Sequence, residues 1–177
     1  FKVALEQQWQ TDAAGAVINN RPYLQLGLSD NVNYTFDASR AAGDRVTGIW
    51  IDGAPIDLDR AYRVGSFSFL LQGGDNFRVL AKGTNTRDSG LVDRDAWISY
   101  ITANSPLAPS YAVRQAAVTG VPTAAVKPGD SVTFSVSKLN LSSLGAPKNT
   151  ELAVTWGDSS TVFGPVTVDA SGVASVT

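Results

Sequence analysis

The chain has 177 residues, 44% of them hydrophobic, and a formal net charge of -2. That apolar fraction sustains a packed core and argues against global disorder, while near neutrality excludes the basic field that nucleic-acid binding requires. Histidine and cysteine are both absent, which excludes disulfides, thiolate or imidazole metal sites and Ser-His-Asp catalysis within this chain. No apolar run approaches the roughly 20 residues needed to span a bilayer. A site for Mg²⁺ or Ca²⁺ built from carboxylates alone stays open.

Phe1, Leu5 and Trp9 lie four residues apart, which predicts a helix over residues 1–10. No capping residue precedes it, and the chain starts on Phe with no signal-like segment. The expectation is that a natural N-terminal part precedes Phe1. After a polar stretch over 11–20, residues 23–26 and 32–36 alternate apolar and polar groups as strands do. A turn opens at Asp37 and closes through Gly43 and Asp44. Residues 45–51 form a further strand, and Asp52-Gly53 is a strong hairpin signal leading into 54–56, where Pro55 marks a strand start or edge. Residues 61–65 read as a strand running into 67–71. Residues 77–80 read as a short strand or turn and 84–90 as a polar loop. Residues 91–104 read as a helix burying Ala96, Trp97, Tyr100 and Ile101 on one face, ended by Pro106 and Pro109.

Near Tyr111 the composition shifts to Val, Thr and Ser, with strands expected at 113–118, 131–136, 152–156, 162–168 and 172–176 and a turn at 127–130. Short strands at this spacing predict a separate immunoglobulin-like β-sandwich over 111–177, possessing no ligand pocket of its own. The last run stops in mid-strand, so this unit is expected to be truncated too. The fold class is therefore α+β, a mixed sheet flanked by helices over 1–110 followed by a β-sandwich segment, with the boundary near 106–112.

One segment stands apart from ordinary strand-and-turn text. Phe67, Phe69 and Leu70 lead into Gly73, Gly74, Asp75, Asn76 and Phe77. Paired glycines permit close approach of a ligand to the backbone. An aromatic six residues before a carboxylate can share one cavity with it. A ring to stack on and an acid to accept hydroxyl protons are what a nucleoside needs. The same residues also make an ordinary turn flanked by core phenylalanines, and the local pattern does not decide between the two.

The wider pattern resembles the C-terminal domain of the 5'-nucleotidase family. Tyr34, Asp37, Ser39 and Arg40 are followed by Gly43, Arg45 and Val46. Gly53 and Pro55 precede Tyr62 and Val64. Phe69, Leu70, Gly73, Gly74, Asp75 and Phe77 then fall in the family's order, and Arg87 to Gly90 with the 91–104 helix resemble the family's next block. The resemblance implies that Phe69 stacks on a nucleobase, that Asp75 binds the ribose, and that Gly73 and Gly74 shape the loop between them. It also implies a second stacking aromatic, phosphate-binding arginines and a two-metal catalytic domain upstream of Phe1. The whole would then be a secreted or cell-surface bacterial metallophosphoesterase acting on nucleotide phosphate esters. On that reading this chain holds no catalytic residue and no cofactor, the divalent metal ions belong to the upstream domain, and the partners are a nucleoside or nucleotide and that domain, without nucleic acid or a membrane span. The chain departs from the family at Asn76, where Gly is usual, and at Arg21, Pro22 and Tyr23, where many relatives place a Gly against the base. A secreted adhesion or wall-binding module without nucleotide binding is the competing expectation, favoured by the β-rich tail alone.

Other candidates have plainer readings. Arg40 and Arg45 are expected to order the 37–44 turn rather than clamp phosphate. Asp88 and Ser89 suit a loop approaching a helix, and Asp93 and Asp95 suit its first turn. Trp9, Trp50 and Trp97 are core candidates. Residues 156–159 have one acid, too few for Ca²⁺, and read as a turn.

Overall fold

The structure, a computed structural model, describes residues 1–155 and 162–177; the turn expected at 156–159 lies outside them. It is α+β with a mixed sheet, and the chain divides into two compact units, residues 1–28 with 57–110 and residues 29–56 with 111–177. The helices fall in the first unit and the sheets in the second.

In the sheet unit, β1 (Val32–Phe36) buries Val32, Tyr34 and Phe36 and exposes Asn33 between them, as a half-buried strand should. It pairs antiparallel with β2 (Val46–Ile51), which pairs with the short β3 (Ala54–Pro55). Asp52 (φ 53°) and Gly53 (φ 77°) make that second connection, two successive left-handed residues as a type I′ hairpin requires. Pro55 lies on the edge strand, where its missing N–H leaves no gap in the ladder.

The other edge of β1 is taken by β4 (Gln115–Thr119), running parallel to it with Tyr34 opposite Gln115. β5 (Phe134–Ser137) and β8 (Ala174–Val176) extend the sheet to the order β3-β2-β1-β4-β5-β8. β6 (Glu151–Thr155) and β7 (Val162–Thr167) form a separate antiparallel pair. Leu152, Val154 and Val166 from that pair pack onto a core of Val136, Leu139, Val168, Ala174 and Val176. Residues 111–177 thus do not stand apart from the strands before them. The sheet crosses the boundary expected near 106–112, because a shift in composition registers local texture, whereas strand pairing is a contact between residues far apart in sequence.

The helical unit opens with α1 (Lys2–Glu6), which buries Ala4 and Leu5. It is shorter than the helix expected over 1–10, and two buried amides account for the difference. Gln8 donates through Nε2 to the Leu5 carbonyl at 3.0 Å and accepts from the Leu26 N–H at 2.9 Å, and Gln10 donates to the Gln7 carbonyl at 2.9 Å. Side-chain bonds of this kind compete with helix continuation. Trp9 instead bridges to Tyr23, their rings 5.3 Å apart edge to face, and the strands expected at 23–26 and 61–65 do not form.

α2 (Ser68–Leu71) replaces the extended run expected at 67–71, and two 3-10 turns, Gly74–Asn76 and Arg78–Lys82, follow it. α3 (Asp93–Asn104) forms where expected but contains no buried residue, and Trp97, Tyr100 and Ile101 are all exposed. Arg94 and Asn104 stand seven residues from Ile101 and Trp97, so charged and polar groups interleave with the apolar ones on one side. Trp97 is therefore not a core residue, and Trp9 and Trp50 are only half-buried. No helix among the described residues is long and apolar enough to cross a membrane.

Candidate functional site

The loop over residues 67–78 belongs to the helical unit. Phe67, in extended conformation, precedes α2, and Phe69 on its first turn is 58% exposed. Four residues give the helix little intrinsic stability, so its C-terminal closure matters. Gln72 N–H donates to Ser68 O and Gly73 N–H to Leu70 O, at 3.0 and 2.9 Å. Gly73 adopts φ 87°, the left-handed conformation that ends helices and that glycine enters without a Cβ penalty.

Gly74 is needed for a different reason. A Cβ there would lie 2.5 Å from two ring carbons of Phe69 and 2.6 Å from the Phe69 carbonyl oxygen. The absent side chain is what lets the Phe69 ring rest against the loop. Asp75 and Asn76 then both take left-handed backbone, with φ of 51° and 63°. Asn and Asp are the non-glycine residues that tolerate this region best. Asn76 thus keeps a backbone that a glycine would adopt freely, and it adds side-chain bonds that a glycine lacks.

Those bonds anchor the loop. Asn76 Nδ2 donates to Gln10 Oε1 at 3.0 Å. Arg78 donates to the carbonyls of Thr11 and Asp12, to Thr11 Oγ1 and to Asn76 Oδ1, all between 2.9 and 3.2 Å. Gln7 Oε1 accepts from the Val79 N–H, and Phe77 is 1% exposed beneath the loop. Of the phenylalanines flanking the glycines, Phe77 is a core residue, and Phe67 and Phe69 are exposed. The Asp75 carboxylate, 36% exposed, forms an ion pair with Arg21 at 3.0 Å.

All four residues proposed from sequence, Phe69, Gly73, Gly74 and Asp75, lie on this one loop. Sequence reasoning missed the loop's supports, Gln10, Thr11, Asn76 and Arg78, and gave Arg21 no contact. No motif marks them, since each works through a residue remote in sequence or through a backbone carbonyl. Arg40 pairs with Asp44 and Arg45 donates to the Arg40 carbonyl, both inside the turn they were expected to order. Asp88 and Ser89 accept backbone N–H groups of Gly90 and Leu91. Among the described residues, no three His, Cys, Asp or Glu side chains come together to hold a metal. The divalent ions that the family resemblance implies have no fitting donor set among them.

Residues 1–82 match the family model described as "5'-nucleotidase, C-terminal domain". Half of the chain aligns with three curated relatives. They are a "5'-nucleotidase-related protein" of Glossina morsitans morsitans at 35% identity over 97 residues, a "5'-nucleotidase" of Bos taurus at 30% over 96, and an "Apyrase" of Tabanus yao at 28% over 97. The aligned part spans only 16–17% of the length of each. No solved structure gives a significant match.

Proposed function

From the match of residues 1–82 to the 5'-nucleotidase C-terminal domain family, we propose that this chain holds the nucleoside moiety of a nucleotide while a metal-bearing domain elsewhere in the same polypeptide hydrolyses the phosphate ester. The observation that carries the reading is the loop itself. An exposed aromatic ring is seated on a glycine, and a partly exposed carboxylate follows one residue later. A base stacks on the ring face and the ribose hydroxyls donate to the carboxylate. Holding the substrate in this way would position its phosphate for attack and supply specificity. The chemistry itself would rest with the metal domain, where bound ions supply an activated water. The polypeptide would act at the cell surface or outside the cell.

Stacking on one ring contributes about 1–3 kcal/mol, and each hydroxyl bond to a charged acceptor about 1.5–3 kcal/mol before ordering is counted. Set against the entropy of association, these give a dissociation constant of about 1 mM. Adenosine titrated against the chain should shift NMR resonances of residues 67–77, and Phe69→Ala should abolish those shifts while leaving the rest of the spectrum in place. The same preparation should release no phosphate from AMP with added Mn²⁺ or Mg²⁺. Unchanged adenosine shifts in the Phe69→Ala protein would remove the stacking role, and steady turnover of AMP would remove the division of labour.

A further inference from the structure

Arg21 stands in a polar turn more than fifty residues before Asp75, yet its guanidinium reaches the carboxylate on which the nucleoside reading depends. Nη2 lies 3.0 Å from Asp75 Oδ1, with side-chain exposures of 43% and 36%. No other hydrogen bond or ion pair of either side chain is seen among the described residues. The carboxylate is therefore engaged through one oxygen by a cation that the surroundings do not hold elsewhere. The left-handed backbone at Asp75 and the bonds of Asn76 and Arg78 fix where that carboxylate stands. Arg21, on its exposed turn, is the partner free to withdraw.

We propose that Arg21 is a specificity-determining residue of this site, one that competes with ligand hydroxyls for Asp75. The inference rests on the nucleoside reading above and adds a competitor inside it. A vicinal diol binds a carboxylate best by donating one hydroxyl to each oxygen. Oδ1 is occupied by Arg21, so a ribose must displace the guanidinium or accept a single bond to Oδ2. Either way the carboxylate is a poorer acceptor while the cation is beside it. The pair is half-exposed, and exposed pairs are weak, so the attenuation is modest, about two- to fivefold in affinity. It acts only on ligands that present a diol.

Arg21 also sets the sign of the salt response. Adenosine is neutral, and its affinity for a site without Arg21 should not depend on ionic strength. Screening loosens exposed ion pairs. With Arg21 present, adenosine should bind more tightly as salt rises, opposite to the trend for any ligand held by charge.

The test uses the 177-residue chain, adenosine and 2',3'-dideoxyadenosine, with NMR titrations at low and high NaCl. Arg21→Ala is expected to bind adenosine about two- to fivefold more tightly than the wild type at low salt, with no salt dependence. Arg21→Lys should keep the wild-type salt response, and dideoxyadenosine should bind both proteins alike. An exposed turn residue whose backbone N–H bonds Ile18 O at 3.1 Å tolerates alanine, and unchanged resonances outside 18–24 and 67–78 confirm the fold. Adenosine affinity unchanged or lowered in Arg21→Ala, or an equal gain for the dideoxy compound, overturns the role of Arg21 and leaves the nucleoside reading standing. Absence of adenosine shifts at 67–77 in both proteins overturns the two together.

Discussion

Single atoms decide how this loop is built. At Gly74 the space for a methyl group is already taken by the Phe69 ring and by the Phe69 carbonyl. The ring could rotate away, but a backbone oxygen at 2.6 Å moves only if α2 moves with it. Gly74→Ala is therefore expected to lower stability by about 1–3 kcal/mol, the usual range for overpacking, and to weaken adenosine shifts as Phe69→Ala does. Denaturant titration and the NMR titration check the two effects separately, and a stable variant with normal shifts would show the seat to be dispensable. In the sheet unit, Asp37 Oδ1 accepts the Ser39 hydroxyl at 2.6 Å and the Ser39 N–H at 2.9 Å. These bonds, and the charge of Arg40, hold the Asp37 carboxyl below its ordinary range. A depressed folded-state pKa means that the turn is stabilised above the unfolded-state value, about 3.9, and loses that contribution as pH falls through the folded-state value. Ser39→Ala should raise the Asp37 midpoint towards the ordinary value in a ¹³C carboxyl titration; an unmoved midpoint would discard the hydroxyl as its main cause.

Among the elements, α2 and the two 3-10 turns after it are too short to hold themselves in place. Arg78 ties them to residues 11 and 12 by three bonds and braces Asn76 by a fourth, and Asn76 ties them to Gln10. Arg78→Ala removes a planar fork that a lysine cannot reproduce. It should destabilise the chain by about 1–2 kcal/mol, since the bonds are charge-assisted but partly wet, and it should accelerate amide exchange over 74–80 before global unfolding. Uniform exchange rates across that stretch in both proteins would mean that Phe77 alone anchors it. These supports show what the sequence could convey. Spacing left open whether the loop is a ligand site or a turn, and α2 was expected as an extended run; but paired glycines, the acid and the flanking aromatics are local in sequence, so the position of the loop was legible. So were the hairpin at Asp52-Gly53 and the alternation of β1. The helix expected over 1–10 was not, because apolar spacing cannot reveal that Gln8 and Gln10 turn inward and bond the backbone. The ion pair of Arg21 with Asp75 joins two turns with no pattern in common, and only folding brings them together.

For the chain as a whole, the parallel pairing of β1 with β4 has the largest consequence. Tyr34 N–H donates to the Arg114 carbonyl at 3.0 Å, Arg114 donates through Nη1 to Asp30 O at 2.7 Å, and the Tyr34 hydroxyl bonds Gln115. Val32, Tyr34 and Phe36 are each no more than 7% exposed. A chain cut after residue 110 keeps the antiparallel partner of β1 but bares its other edge. What remains is a narrow piece of sheet whose third strand has two residues, at the limit of what is stable in water. An uncovered edge also invites association. The 1–110 chain should therefore show Tyr34 amide exchange at least about tenfold faster than the 177-residue chain, since local opening now breaks fewer bonds. It should also lose sharp resonances for 32–51 and self-associate at high concentration. Residues 67–78 lie in the other compact unit, and their supports, Gln7, Gln10, Thr11 and Asp12, all stay in the shortened chain. Hydrogen exchange on both proteins, read at Tyr34 and at Phe77, separates the effects. Loss at Tyr34 with retention at Phe77 is the expected result. Equal protection at Tyr34 in both chains would restore the boundary near residue 110 that composition suggests and make the shared sheet incidental to stability.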